Sequence, residues 1–180
     1  MTNYARLYRF GFTPWERYAT AAAASIAARL DREEAERSRP LGRALDVGYG
    51  RGRYTPELAR RGWQAVGIDY VSAAIEAAKA KSRGAAGLSY VVGDVTRLPS
   101  ANLGTFDFFL DIGCFQGLDT GQRHSEGNGI SALANPGPGS AAGHIAAGQS
   151  QYGSSLQTAA PPVSNRWPTP PRTVTFSSPG

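Results

Sequence analysis

The sequence predicts an α/β protein built on a mostly parallel sheet, and three observations carry that prediction. Four short apolar runs between Arg43 and Asp111 alternate with helical segments. Each run ends on or beside an acidic residue or a glycine. A glycine-rich bend, Gly48-Tyr49-Gly50-Arg51-Gly52, separates the first run from the helix that follows it. Strand and helix in alternation imply right-handed βαβ units, and such sheets bind ligands in the crevice at the carboxyl ends of their strands.

The elements follow in order. Thr13 reads as an N-cap, Pro14 as the first helical position and Glu16 as the closing member of a capping box. Trp15, Tyr18, Ala22, Ile26 and Leu30 recur three or four residues apart, so a helix is expected from 14 to about 37. Its charged end, Asp31 to Arg39, reads as a solvated face, and Pro40 stops it. Ala44-Leu45-Asp46-Val47 is a buried strand. Thr55-Pro56-Glu57 opens a helix that Gly62 closes as a C-cap glycine. Gln64 to Asp69 is the second strand, Ser72 caps an Ala-rich helix, Leu88 to Asp94 is the third strand and Phe106 to Asp111 the fourth. The expected organisation is a helical cap over 1–40, a partial α/β domain over 41–136 and a tail over 137–180.

The tail stands apart in composition. Residues 121–180 hold four of the 33 charged residues and eight of the 12 prolines, and Gly, Pro and Ser fill 26 of these 60 positions. A segment so poor in apolar periodicity is expected to be disordered. The net charge of +5 is spread along the chain without a Lys/Arg block that could follow a phosphate backbone, which excludes nucleic acid as the expected partner. Cys114 is the single cysteine, so no internal disulfide forms and a reducing cytoplasm is expected. Tyr18 to Ala28 is too short an uncharged stretch to span a bilayer, so no membrane partner is expected.

The glycine bend carries the chemistry. Glycines there let the backbone turn sharply and approach a ligand closely. Asp69 closes the next strand 17 positions after Gly52, where a carboxylate accepts both hydroxyls of a ribose. A dinucleotide site would want a third glycine at position 53, which is Arg53, and that substitution together with the lack of a Tyr-x-x-x-Lys pair argues against a nicotinamide oxidoreductase. Asp46, two residues before Gly48, suits an ammonium group rather than a pyrophosphate. A ligand with a base, a ribose and an ammonium-bearing chain is S-adenosylmethionine.

Leu45-Asp46-Val47-Gly48-Tyr49-Gly50-Arg51-Gly52, Gly67-Ile68-Asp69, Gly93-Asp94 and Phe106 to Phe115 together resemble the class I, Rossmann-like S-adenosylmethionine-dependent methyltransferases, of the small-molecule, thiopurine-methyltransferase-like type. The resemblance covers about residues 8 to 120 and extends toward Pro136. It implies a three-layer Rossmann-like sandwich. It further implies that Asp46, Gly48, Gly50 and Gly52 face the methionine part of S-adenosyl-L-methionine and that Asp69 holds the ribose. Tyr70 would flank the adenine, Asp94 would accept from its amino group with Val95 against the ring, and Asp111 would border the methionyl group. Tyr49 stands where the family usually has a small residue and is expected to intrude on the cofactor or close over it. Gln116 occupies a position where a histidine is common in the family.

Methyl transfer asks little of side chains, since the sulfonium is already activated and the protein mainly aligns the acceptor and excludes water. No catalytic base is assigned: His124 and His144 fall in glycine-rich sequence expected to be mobile, Arg51 and Arg53 are expected in solvent, and Asp107 is expected to be structural. Tyr8, Phe12 and Trp15 are candidates for contact with a small-molecule acceptor. The family's sheet has three further strands with no counterpart expected here. The reading frame is therefore expected to be lost between Pro136 and Gly139, leaving the fourth strand as an uncovered edge and impairing turnover. A non-catalytic nucleoside-binding or partner-binding remnant is the alternative expectation.

Overall fold

The computed structural model describes residues 22–35, 37–50 and 52–135, together with the backbone of 143–147 and 173–176. The helix entry at Thr13 to Glu16, and Tyr8, Phe12 and Trp15, lie outside the described residues. Helix α1 (Ala23–Ala35) leads into strand β1 (Arg43–Val47), then α2 (Tyr54–Arg61), β2 (Gln64–Asp69), α3 (Ser72–Lys81) and β3 (Leu88–Val92). A 3₁₀ segment (Val95–Ala101) precedes β4 (Phe108–Ile112), and α4 (Thr120–Leu133) follows. Two short strands, β5 (Gly143–Ala147) and β6 (Thr173–Phe176), complete the described elements.

The strands run parallel in the order β3-β2-β1-β4-β5-β6. The crossover from β3 to β4 on the far side of β1 places the chain reversal at β1, beside the glycine bend. A reversal of this kind opens a crevice at the carboxyl edge of the sheet.

Alternate residues along the central strands face opposite layers. Ala44, Ala65, Phe108 and Leu110 pack with Ile26 and Leu30 of α1, Leu58 of α2 and Trp63. Leu45, Val47, Val66, Ile68 and Phe109 pack on the other face with Val95, Leu98, Ile130 and Leu133. Trp63 stacks on Phe108 at 5.1 Å between centroids and donates its indole N–H to Glu34 Oε1 at 2.9 Å. Burying a side chain of that size on a strand face contributes about 3 kcal/mol relative to exposure.

Several local expectations are corrected by tertiary contacts. The charged end of α1 is not a purely solvated face: Asp31 and Glu34 bond Arg61 of α2, and Arg37 donates to the Asp107 carbonyl. Thr55 lies within α2 rather than ahead of it, and Ser72 is the first helical residue of α3 while Val71 occupies the cap position. The side chain that serves the start of α3 is instead Asp69, whose Oδ1 accepts the Val71 N–H at 2.8 Å. Gly62 closes α2 with a left-handed φ of 103°, as its position predicted.

Beyond Pro136 the sequence predicts no strand, which makes β4 an expected edge. The structure places Gly143–Ala147 in parallel register with β4, pairing Phe108 with Gly143 and Ile112 with Ala147, and sets Thr173–Phe176 beside it. Five and four residues are too few to raise an apolar pattern above surrounding Gly, Ser and Pro. His144 accordingly sits in a strand, and His124 sits on α4 with Nδ1 3.1 Å from the Thr120 carbonyl.

Candidate functional site

The bend between β1 and α2 is built by close approach. Gly48 has φ 64°, and a Cβ there would come within 2.6 Å of Cys114 Cβ. Gly52 has φ 72°, and its Cβ would meet that of Ala78 at 2.6 Å. Only glycine meets both the backbone and the spatial demand at these two positions. The bend is tied to β2 by the Gly48 N–H, which donates to the Ile68 carbonyl at 2.8 Å, and by the Gly50 N–H, which donates to Asp69 Oδ2 at 2.9 Å.

Tyr49 is buried within the fold. Its ring packs with Ile75, Ala78 and Tyr90, 4.9 Å from the Tyr90 centroid, over the bare face of Gly67. A Cβ on Gly67 would reach Tyr49 Cδ1 at 2.7 Å, so the glycine of β2 makes room for the tyrosine of the bend. The buried Tyr49 hydroxyl has no hydrogen-bond partner among the described residues, and burial, with the charge of Asp69 next, raises its pKa.

The acidic residues divide between the two faces of the sheet. Asp46 faces α2: the Thr55 hydroxyl donates to its Oδ2 at 2.6 Å, both side chains being buried. Burial raises the Asp46 pKa to about 7, with the like charges of Asp111 and Asp69 acting in the same direction and the Thr55 bond opposing them. Asp69 ends β2 on that same face, and its pKa too is raised by burial against the bonds from Val71, Gly50 and Tyr70. Asp111, paired in register with Val47, turns to the other face. It accepts from the N–H groups of Cys114 at 2.8 Å and Phe115 at 2.9 Å, and burial lifts its pKa to about 6. Asp107 accepts from the Arg43 N–H and from Asn135, a structural role as expected.

The rim is more open. Tyr70 is 50% exposed and Val92 57% exposed at the ends of β2 and β3. Asp94 is exposed beside them, with Oδ1 accepting from the Thr96 N–H and hydroxyl while Oδ2 has no partner among the described residues. Val95 is buried beneath. Arg53 is exposed and lies over the Tyr54 ring, and Arg51 lies outside the described residues. Gln116 Oε1 is buried with no partner among the described residues.

Two residues escaped the sequence reading. The sequence marks Thr55 only as a helix start, whereas its hydroxyl holds Asp46. Glu126 is fully buried on α4, and its carboxyl oxygen lies within 4.8 Å of ligand atoms of Asp111 and Cys114. The signal for Glu126 was present: with Ile130 and Leu133 it forms a stripe at spacings of four and three, a carboxyl where an apolar residue belongs.

The geometry fits an adenosyl ligand bearing a positive charge. Two buried carboxylates flank a bare main-chain bend, and an exposed ring, an apolar side chain and a free carboxylate oxygen line the adjacent strand ends. Burial of a carboxylate without a counter-cation is costly even where hydrogen bonds serve it, and a cationic partner relieves that cost.

Comparison with known proteins agrees. Residues 45–126 match the family model described as a methyltransferase domain. The PH0226 protein of Pyrococcus horikoshii superposes with a TM-score of 0.56 at 24% identity, over 66% of this chain and 50% of that one. A TehB-like SAM-dependent methyltransferase from Corynebacterium glutamicum gives 0.51 at 24%, over 67% and 66%. The glycopeptide N-methyltransferase MtfA, complexed with S-adenosyl-L-methionine, gives 0.50 at 22%, over 58% and 48%. The chain thus spans about half the length of two of these three structures. The segment from Leu45 to Glu126, with its parallel sheet and glycine bend, thus matches the methyltransferase-domain model and shares the Rossmann-like fold of the S-adenosylmethionine-dependent methyltransferases it resembles.

Proposed function

We propose that this chain binds S-adenosyl-L-methionine and moves its methyl group to a small-molecule acceptor. The observation that carries the reading is the pair of buried carboxylates, Asp46 and Asp69, on one face beside a glycine bend tied to Asp69 by the Gly50 N–H. When bound, the cofactor supplies a sulfonium-activated methyl group, so the residues need only bind, orient and exclude water.

In this reading Asp46 and the main chain of Gly48, Gly50 and Gly52 hold the ammonium-bearing chain. Asp69 accepts from the ribose hydroxyls. Tyr70 and Val95 flank the adenine ring, and Asp94 offers Oδ2 to its amino group. Asp111 acts at one remove, by shaping the turn that bears Cys114 against Gly48. The acceptor-contact candidates Tyr8, Phe12 and Trp15 lie outside the described residues, and turnover in this form is expected to be impaired. A cytoplasmic setting and a soluble small acceptor complete the reading. No helix among the described residues is long and apolar enough to cross a membrane.

Calorimetric titration of the full chain with S-adenosylmethionine, S-adenosylhomocysteine, NAD and NADP tests the proposal. The two adenosyl thioether and sulfonium compounds are expected to bind and the two dinucleotides are not. Binding of NAD in place of the sulfonium compound, or of neither, would overturn it.

A further inference from the structure

Glu126 is the one carboxyl among the described residues that is fully buried with neither oxygen receiving an N–H or O–H donor. An ionised carboxylate in such a place, with no hydrogen bond, costs several kcal/mol, and a buried acid avoids that cost by keeping its proton. Its neighbour Asp111 is equally buried but accepts from the N–H groups of Gly113, Cys114 and Phe115. Two carboxyl groups in contact do not both ionise, and the charge settles on the one that amide dipoles stabilise. The groups facing Glu126 are Asp111 from β4, Cys114 from the turn after it and Arg123 from α4 itself. Arg123 spends its guanidinium on the carbonyls of Phe115 and Gln116.

We infer that Glu126 is a neutral carboxyl at physiological pH whose O–H donates to the Asp111 carboxylate, a positioning residue that fixes the Gly113–Phe115 turn against the glycine bend. The link to the bend is physical: Cys114 Cβ occupies the space a side chain on Gly48 would need. The direction of the ionisation behaviour agrees. Burial and then the Asp111 charge raise the Glu126 pKa to about 10, while that of Asp111 reaches only about 6. A divalent cation held by the same three atoms is disfavoured. It would need the Cys114 thiolate, whose pKa burial raises well above the ordinary value, and Asp111 oxygens already turned to their own amides. The consequence for ligand affinity rests on the cofactor reading above. The protonation and the turn do not.

The test uses the full chain, two variants and four readouts. Infrared difference spectra of wild type against Glu126→Gln are expected to show a protonated-carboxyl C=O stretch that persists from pH 6 to 8 in wild type only. Amide hydrogen exchange at Cys114 and Phe115 is expected to be unchanged in Glu126→Gln, whose side-chain N–H still donates, and about tenfold faster in Glu126→Leu. Affinity for S-adenosylhomocysteine should follow the same order, and in wild type alone should fall between pH 8 and 10. Absence of the carboxyl band at pH 7, unchanged exchange in Glu126→Leu, or a cadmium titration that produces a thiolate–metal absorption band would each overturn the inference. Should Glu126→Leu fail to fold, the band and the exchange rates in Glu126→Gln still decide. If wild type binds no S-adenosylhomocysteine while the band and exchange behave as expected, the cofactor reading fails and this inference stands.

Discussion

Asp69 Oδ2 accepts the main-chain N–H of Gly50 at 2.9 Å, while Oδ1 of the same carboxylate accepts that of Val71 at 2.8 Å. One side chain therefore joins the bend after β1 to the start of α3, and the residue expected to hold a ribose also builds the pocket wall. Asp69→Ala should orphan two buried N–H groups. It is expected to lower stability by about 2 to 4 kcal/mol in urea unfolding and to weaken S-adenosylhomocysteine by more than about tenfold. Asp69→Asn keeps one acceptor and is expected to cost about half as much stability.

Asp46 predicts a pH dependence of opposite sign for folding and for binding. Its pKa is raised from the usual carboxylate range to about 7 in the fold. Between roughly pH 4 and 7 the folded chain then holds a proton that the unfolded chain releases, so Asp46 lowers stability as pH rises through that window. The full effect is on the order of 4 kcal/mol. A cationic ligand favours the ionised form, so affinity for S-adenosylmethionine should rise between pH 6 and 8. Asp69 and Asp111 act in the same direction on stability, which makes Asp46→Asn the isolating variant. It should flatten both profiles in part, and an unchanged binding profile would remove Asp46 from the ligand site.

Tyr49 separates packing from cofactor contact. Tyr49→Ala should leave a cavity among Ile75, Ala78 and Tyr90, costing about 3 to 5 kcal/mol by chemical unfolding. It should bring no gain in S-adenosylhomocysteine affinity, because the ring is spent on packing with Ile75, Ala78 and Tyr90. Tyr49→Phe removes a buried hydroxyl that has no partner among the described residues, and is expected to be neutral or to stabilise by about 1 kcal/mol.

Gly48→Ala tests whether the turn after β4 and the bend after β1 share one space. The new Cβ would sit 2.6 Å from Cys114 Cβ on a left-handed backbone. A loss of about 2 kcal/mol or more in stability is expected, together with measurable loss of cofactor affinity. Combining it with Cys114→Gly should recover part of the stability, since the clash is with that side chain.

The four central strands, the glycine bend and the acidic strand ends were legible in the sequence, because each is encoded locally. Apolar runs such as Ala44-Leu45 and Phe108-Phe109-Leu110 need no distant partner to be recognised, and Gly48 and Gly52 mark a bend wherever they occur between strand and helix. Which face each carboxylate takes was not legible, because a strand alternates faces by single residues while the helices that cover those faces arrive from far along the chain. Asp46 and Asp111 read alike as acidic strand ends. Thr55 claims one for the α2 layer, and Glu126 claims the other for the α4 layer. The inward turn of Tyr49 depended likewise on the missing Cβ of Gly67, 18 residues away in sequence and adjacent only through strand pairing. The pairing of β5 with β4 was decided the same way, by a backbone ladder that four or five residues can join without an apolar pattern of their own.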